Sequence, residues 1–251
     1  MIRIFFSTIF CISFLAPVFA EEKLTCFELR TYHTHEGQLD SLHARFRDHT
    51  VALFEKHGIT NLIYCEPVEN EEQILVYLLG YPDMAARDES WKAFRNDPVW
   101  KKAYADSTKG GKLVRKVDSV FLELTDYSPV ATFPETSAAP AYELRRYTTN
   151  EGKLDGLDAR FRDHTIGLFK KHGITNLPYF HLADGQEGSE NTLLYFISAS
   201  SIESRNASFK AFGGDSAWKA ARDASEKDGK LLVKKGVHSQ FLKTTDYSPV
   251  K

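Results

Sequence analysis

The chain repeats itself, and the repeat decides most of what it can fold into. Glu28-Leu29-Arg30-Thr31-Tyr32 returns as Glu143-Leu144-Arg145-Arg146-Tyr147, at an offset of 115 residues. Arg45-Phe46-Arg47-Asp48-His49-Thr50 returns unchanged at positions 160–165. Between positions 27 and 64, 27 of 38 aligned residues are identical. The offset widens to 118 at Trp100 and Trp218, and to 120 at the closing Thr-Asp-Tyr-Ser-Pro-Val of each copy. The extra residues fall around Asp184-Gly185-Gln186 and near Lys234-Lys235-Gly236, as insertions in the loops of a duplicated fold do. Two units result, 24–130 and 141–250. A small, polar, proline-containing stretch at 131–140 reads as a semi-extended linker. Each unit is long enough to hold its own core.

One unit can be read element by element. Residues 27–32 alternate apolar and polar, which predicts a strand. Residues 38–57 have helical period, with Leu39, Leu42, Phe46 and Leu53 on one face and Gly58 as the stop. Residues 59–65 and 74–81 read as two further strands. A second helical segment carries Trp91 and Phe94, read as core. Asp97-Pro98 supplies an N-cap and a first-turn proline that restart it through Trp100. Residues 117–124 make the fourth strand. The order β-α-β-β-α-β is the ferredoxin-like arrangement of the α+β class, with both helices on one face of an antiparallel sheet. The third strand is apolar on both faces, so the open face of the sheet needs a cover. Two repeats packed sheet to sheet supply it, as a pseudo-symmetric α/β barrel with room for a cavity between the sheets. The alternative is pairing between chains, as a homodimer.

Residues 1–20 carry a single charge, Arg3, before an apolar run that ends at Ala20, and Glu21-Glu22 follow. This predicts a secretory signal peptide cleaved after Ala20, hence a secreted or periplasmic protein without a stable membrane anchor. An uncleaved anchor is the alternative, although the run is short for a span of about 20 residues. Cleavage leaves Cys26 and Cys65, which could pair in an oxidising compartment but have no counterparts in the second repeat. A net charge of −2 argues against nucleic acid as a partner.

Three sets of side chains are candidates for chemistry. Glu28, Arg30 and Tyr32, with Glu143, Arg145 and Tyr147, lie on one face of the first strand of each repeat. If Leu29 meets the helices, these polar residues face the barrel interior. They would then form an ion-paired ligand pocket, or a pair that fixes strand register. His49 and His164 fall on the apolar side of a helical wheel. They read as core histidines bonded to backbone, or as bases pointing at a ligand. His57-Gly58 and His172-Gly173 suit a helix C-terminus. His33, His35 and His43 have no histidine counterparts in the second repeat and read as surface. His49 and His57 lie about 12 Å apart along the helix axis, too far to share a metal, so no metal site and no cofactor are predicted.

Glu28-Leu29-Arg30, Tyr32, Gly37, His57-Gly58 and Asp97-Pro98-Val99-Trp100 together resemble the NIPSNAP family. The resemblance covers both repeats, although the second has Asp215-Ser216-Ala217-Trp218 and lacks the proline. It implies a fold like that of dimeric α/β-barrel proteins, a group that includes cofactor-free monooxygenases and haem enzymes. It supplies no catalytic set. The expected function is a small-molecule-binding or interaction module without defined catalysis. The alternative is a cofactor-independent, monooxygenase-like enzyme acting on a small aromatic or anionic metabolite.

Overall fold

The computed structural model describes residues 23–130, 132–133 and 141–250. The leader and most of the linker lie outside the described residues. In the first repeat the chain runs β1 (Cys26–Thr34), α1 (Leu39–Arg45), a π-helical turn (Phe46–Thr50), α2 (Val51–Lys56), β2 (Thr60–Pro67), β3 (Ile74–Tyr81), α3 (Met84–Asn96), α4 (Pro98–Ser107) and β4 (Val114–Leu124). The second repeats this with β5 (Ala141–Thr149), α5 (Leu154–Arg160), a π-helical turn (Phe161–Thr165), α6 (Ile166–Lys171), β6 (Thr175–Leu182), β7 (Thr192–Ala199), α7 (Ile202–Gly214), α8 (Ser216–Ser225) and β8 (Leu232–Thr244).

Local chemistry sets the breaks. Gly58 and Gly173 take φ of +75° and +76° just after α2 and α6, a conformation that glycine adopts without strain. Asp97 ends α3 and caps α4, accepting from the Val99 amide at 2.7 Å. The same carboxylate accepts from Lys56 Nζ at 2.7 Å and bonds His57 Nε2 at 2.8 Å, which ties α2 to α4. Asp215 repeats all of this with Ala217, Lys171 and His172, so the missing proline costs the second copy no cap. The predicted helix-terminal role of His57 and His172 is what the structure shows.

The eight strands close into one antiparallel barrel in the order β1-β3-β2-β8-β5-β7-β6-β4. Each repeat contributes four neighbouring strands. The two seams are β2 with β8, where Cys65 faces Thr244, and β4 with β6, where Leu122 faces Leu182. Every residue of β3 and β7 is buried, because one face meets the barrel interior and the other the helices. Phe27, Leu29, Val76, Leu78, Phe180 and Phe196 are among the apolar side chains packed inside, with the Phe27 and Phe180 rings 5.1 Å apart across the two repeats. The helices lie outside, each set over its own aromatic cluster.

This placement corrects the expected orientation of β1. Phe27 and Leu29 point into the barrel, while Glu28, Arg30 and Tyr32 point outward, beneath the helices; β5 does the same. Alternation gives two faces but not which one meets the helices. Arg87 on α3 decides it by bringing a counter-charge to Glu28.

Candidate functional site

Glu28 is fully buried and is the hub of a network between β1 and α3. It accepts from the Arg30 guanidinium, from Arg87 Nε at 3.1 Å and Nη2 at 3.0 Å, from Ser119 Oγ at 2.6 Å and from the Tyr81 hydroxyl at 3.2 Å. Burial alone would raise the Glu28 carboxyl, but the hydrogen bond from Arg87 and the charge of Arg30 hold it below its ordinary value. Arg30 also donates from Nε to the Tyr77 hydroxyl at 3.0 Å and reaches the Tyr32 hydroxyl at 3.5 Å. The second repeat has the same network without the Tyr81 contact, since Ala199 stands in that place: Glu143 accepts from Arg145, Arg205 and Ser239, and Arg145 donates to Tyr195 and Tyr147 at 2.9 Å each. The structure therefore brings each predicted Glu-Arg-Tyr set together, with the expected pairing, on the face opposite to the expected one.

A cavity of about 260 Å³ lies beside this network in the first repeat. Its aromatic walls are Phe46, Phe54, Trp91, Phe94 and Trp100. Arg30, Tyr32, Arg45, Thr50 and Arg95 supply its polar groups. A larger depression of about 600 Å³, lined by Arg146, Gln186, Glu187 and Asn191, has no aromatic wall.

The π-helical turn shapes this cavity. One extra residue per turn rotates the helix face between Phe46 and Thr50, while Thr50 stays buried and donates to the Arg45 carbonyl at 3.1 Å. His49 is carried out to solvent, as is His164 in the second repeat, which corrects the expectation that both lie on the apolar face. Neither takes part in the site.

Arg45 was not among the sequence candidates. It is 5% exposed, with Trp100 and Tyr104 each 5.4 Å from its guanidinium carbon. Its Nη1 donates to Ser107 Oγ at 3.3 Å, while its Nε is buried and unbonded. Among the described residues no carboxylate pairs with it. Burial pushes its guanidinium below the ordinary value. The identical Arg-Phe-Arg-Asp-His-Thr of the two repeats was the signal that could have found it.

His43 was expected at the surface and is buried instead. Its Nδ1 bonds the Tyr247 hydroxyl at 2.8 Å, and Glu66 Oε1 lies 3.5 Å from Nε2. His33 is largely buried too, with Asp118 at 2.8 Å, whereas His35 is exposed as expected. Cys26 and Cys65 are free and buried, Cys26 in the cluster beneath the helices and Cys65 inside the barrel, so the sheet separates them.

A closed barrel of duplicated ferredoxin-like units, carrying matched Glu-Arg-Tyr networks under its helices, defines the class. The chain belongs to the NIPSNAP family, whose model matches residues 27–129 and again 142–249. Comparison with the curated proteins found no match. Among solved structures, a candidate monooxygenase from Fusobacterium nucleatum superposes with a TM-score of 0.55 at 12% identity, covering 88% of this chain and 92% of its own. An anthrone oxidase-like protein gives 0.57 at 11% identity, covering 90% and 92%. A NIPSNAP family protein from Agrobacterium tumefaciens is 18% identical over 42% of this chain and 98% of its own, with a TM-score of 0.38. At these identities the likeness to the first two is one of fold.

Proposed function

We propose that the chain is an exported small-molecule-binding module whose site is the cavity beneath the helices of the first repeat. One observation carries this reading: five aromatic side chains line a partly open pocket that also holds polar groups from β1 and the helices. The volume suits a ligand of about one ring, since an apolar cavity of about 150 Å³ already accommodates benzene. Export rests on the leader composition alone. The apolar filling of the barrel supports placing the ligand under the helices rather than between the sheets.

Intrinsic fluorescence tests the binding reading. Trp91 and Trp100 line the cavity, and the third tryptophan, Trp218, is in the other repeat. In a Trp218→Phe variant of the full chain, 4-nitrobenzyl alcohol, a neutral aromatic quencher, is expected to quench saturably. Quenching that only rises linearly with concentration overturns the reading.

A second reading, cofactor-independent oxygenation of the bound aromatic, is supported by the fold shared with the candidate monooxygenase and the anthrone oxidase-like protein. Oxygen uptake in the presence of anthrone tests it; no uptake above the buffer rate rejects it for this substrate.

A further inference from the structure

The two repeats differ at positions that bear directly on the cavity. In the second repeat Arg160 occupies the place of Arg45, and Glu226 lies 3.4 Å from its Nη1. Both arginines keep the equivalent serine contact, Ser107 with Arg45 and Ser225 with Arg160. Glu226 aligns with Thr108, whose hydroxyl turns back to the Tyr104 carbonyl at 2.8 Å. The second repeat thus carries its own counter-ion, and among the described residues the first does not. Position 95 adds to the contrast: Arg95 stands at the cavity with Trp91 5.4 Å from its guanidinium carbon, where the second repeat has Gly213.

A buried guanidinium without a carboxylate is costly, and it is retained in a fold whose other copy shows how to neutralise it. Glu28 does not serve, because it is already shared between Arg30 and Arg87. The cation also sits against aromatic faces, in a space sized for a ring. A planar carboxylate matches a guanidinium, and its ring would lie among Phe46, Trp91, Phe94 and Trp100.

We infer that the first repeat binds an aromatic monocarboxylate, its carboxylate taking beside Arg45 the place that the Glu226 side chain takes beside Arg160. This rests on the binding reading above and names the ligand class. The second repeat has no such anion site, because Glu226 fills it from within. Arg45 is a binding residue here, and Arg95 a second cation at the same cavity.

The test compares 4-nitrobenzoate with 4-nitrobenzyl alcohol by quenching in the full chain carrying Trp218→Phe. The acid is expected to bind about tenfold or more tighter than the alcohol, the worth of a charge-assisted bond to a desolvated guanidinium. Thr108→Glu copies the second repeat. It is expected to remove the advantage of the acid and leave the alcohol unchanged. Arg45→Met should likewise remove the advantage of the acid, and it deletes an unpaired buried charge, so folding is not at risk from a stranded partner. Equal binding of acid and alcohol, or acid binding that survives both substitutions, overturns the inference while leaving the cavity reading intact. Saturable binding of neither probe overturns both.

Discussion

His43 and Asp158 hold equivalent places on α1 and α5, and each faces a strand residue of the opposite kind. Glu66 on β2 lies 3.5 Å from His43, and His181 on β6 lies 3.0 Å from Asp158. Acid and base have changed places between the repeats, while the third member stays a tyrosine: Tyr247 bonds His43 at 2.8 Å and Tyr127 bonds Asp158 at 2.6 Å. Each tyrosine comes from the closing Asp-Tyr-Ser-Pro-Val of the other repeat, so these clusters tie the repeats together.

The exchange predicts a coupled pair of substitutions. His43→Asp alone sets a second carboxylate beside Glu66 and should destabilise by about 1–2 kcal/mol in chemical denaturation. His43→Asp with Glu66→His copies the second repeat and should recover most of that loss. A double variant as unstable as the sum of its singles would show that the pairing is incidental.

A pH dependence follows from the burial of His43. Desolvation lowers its folded pKa below the ordinary 6.5 despite the attraction of Glu66. As pH falls through 6.5, the unfolded chain takes up a proton that the folded chain resists, so stability is lost with falling pH until the lowered folded value is reached. Melting temperatures measured across this window should fall less in His43→Gln than in the parent. Parallel curves would place His43 in a more solvated setting.

The Glu28 network should respond unequally to its two sides. Glu28→Gln leaves Arg30 without a carboxylate and Arg87 with only the exposed Asp88 at 2.9 Å, and should cost about 3–5 kcal/mol. Arg30→Met leaves Glu28 with Arg87 and Ser119, so a smaller loss, about 1–3 kcal/mol, is expected. Urea denaturation of both variants checks the order, and a larger loss for Arg30→Met would contradict the hub role of Glu28.

The thiols should be silent in the folded protein. Burial pushes Cys26 up to about 11 and Cys65 further still, and they lie on opposite faces of the sheet. A maleimide is expected to label neither thiol natively and both after denaturation. A mass two hydrogens lower, with no labelling in denaturant under non-reducing conditions, would reveal a bridge.

The duplicated sequence displayed the strands, the glycine stops and the Asp97 cap plainly, because each depends on residues within a few positions. The face of β1 was not legible: Glu28 is tolerable under the helices only because Arg87, on α3, reaches it. His49 was misplaced because a wheel of uniform pitch has no π-helical turn in it. Tyr127 and Tyr247 stood out only as repeated letters, since their partners lie in the opposite repeat. Arg45 escaped notice for a related reason. Its importance comes from what it lacks, and Thr108 aligned with Glu226 acquires meaning only when both are seen beside their arginines.

A crystal structure of the full chain soaked with 4-nitrobenzoate measures the central claim most directly. The predicted result is one molecule per chain in the first repeat, its carboxylate within hydrogen-bond distance of the Arg45 guanidinium and its ring among Phe46, Trp91, Phe94 and Trp100, with Arg160 still paired to Glu226. Finding Arg45 bonded to a carboxylate of the chain itself, with the cavity closed to the ligand, would contradict it.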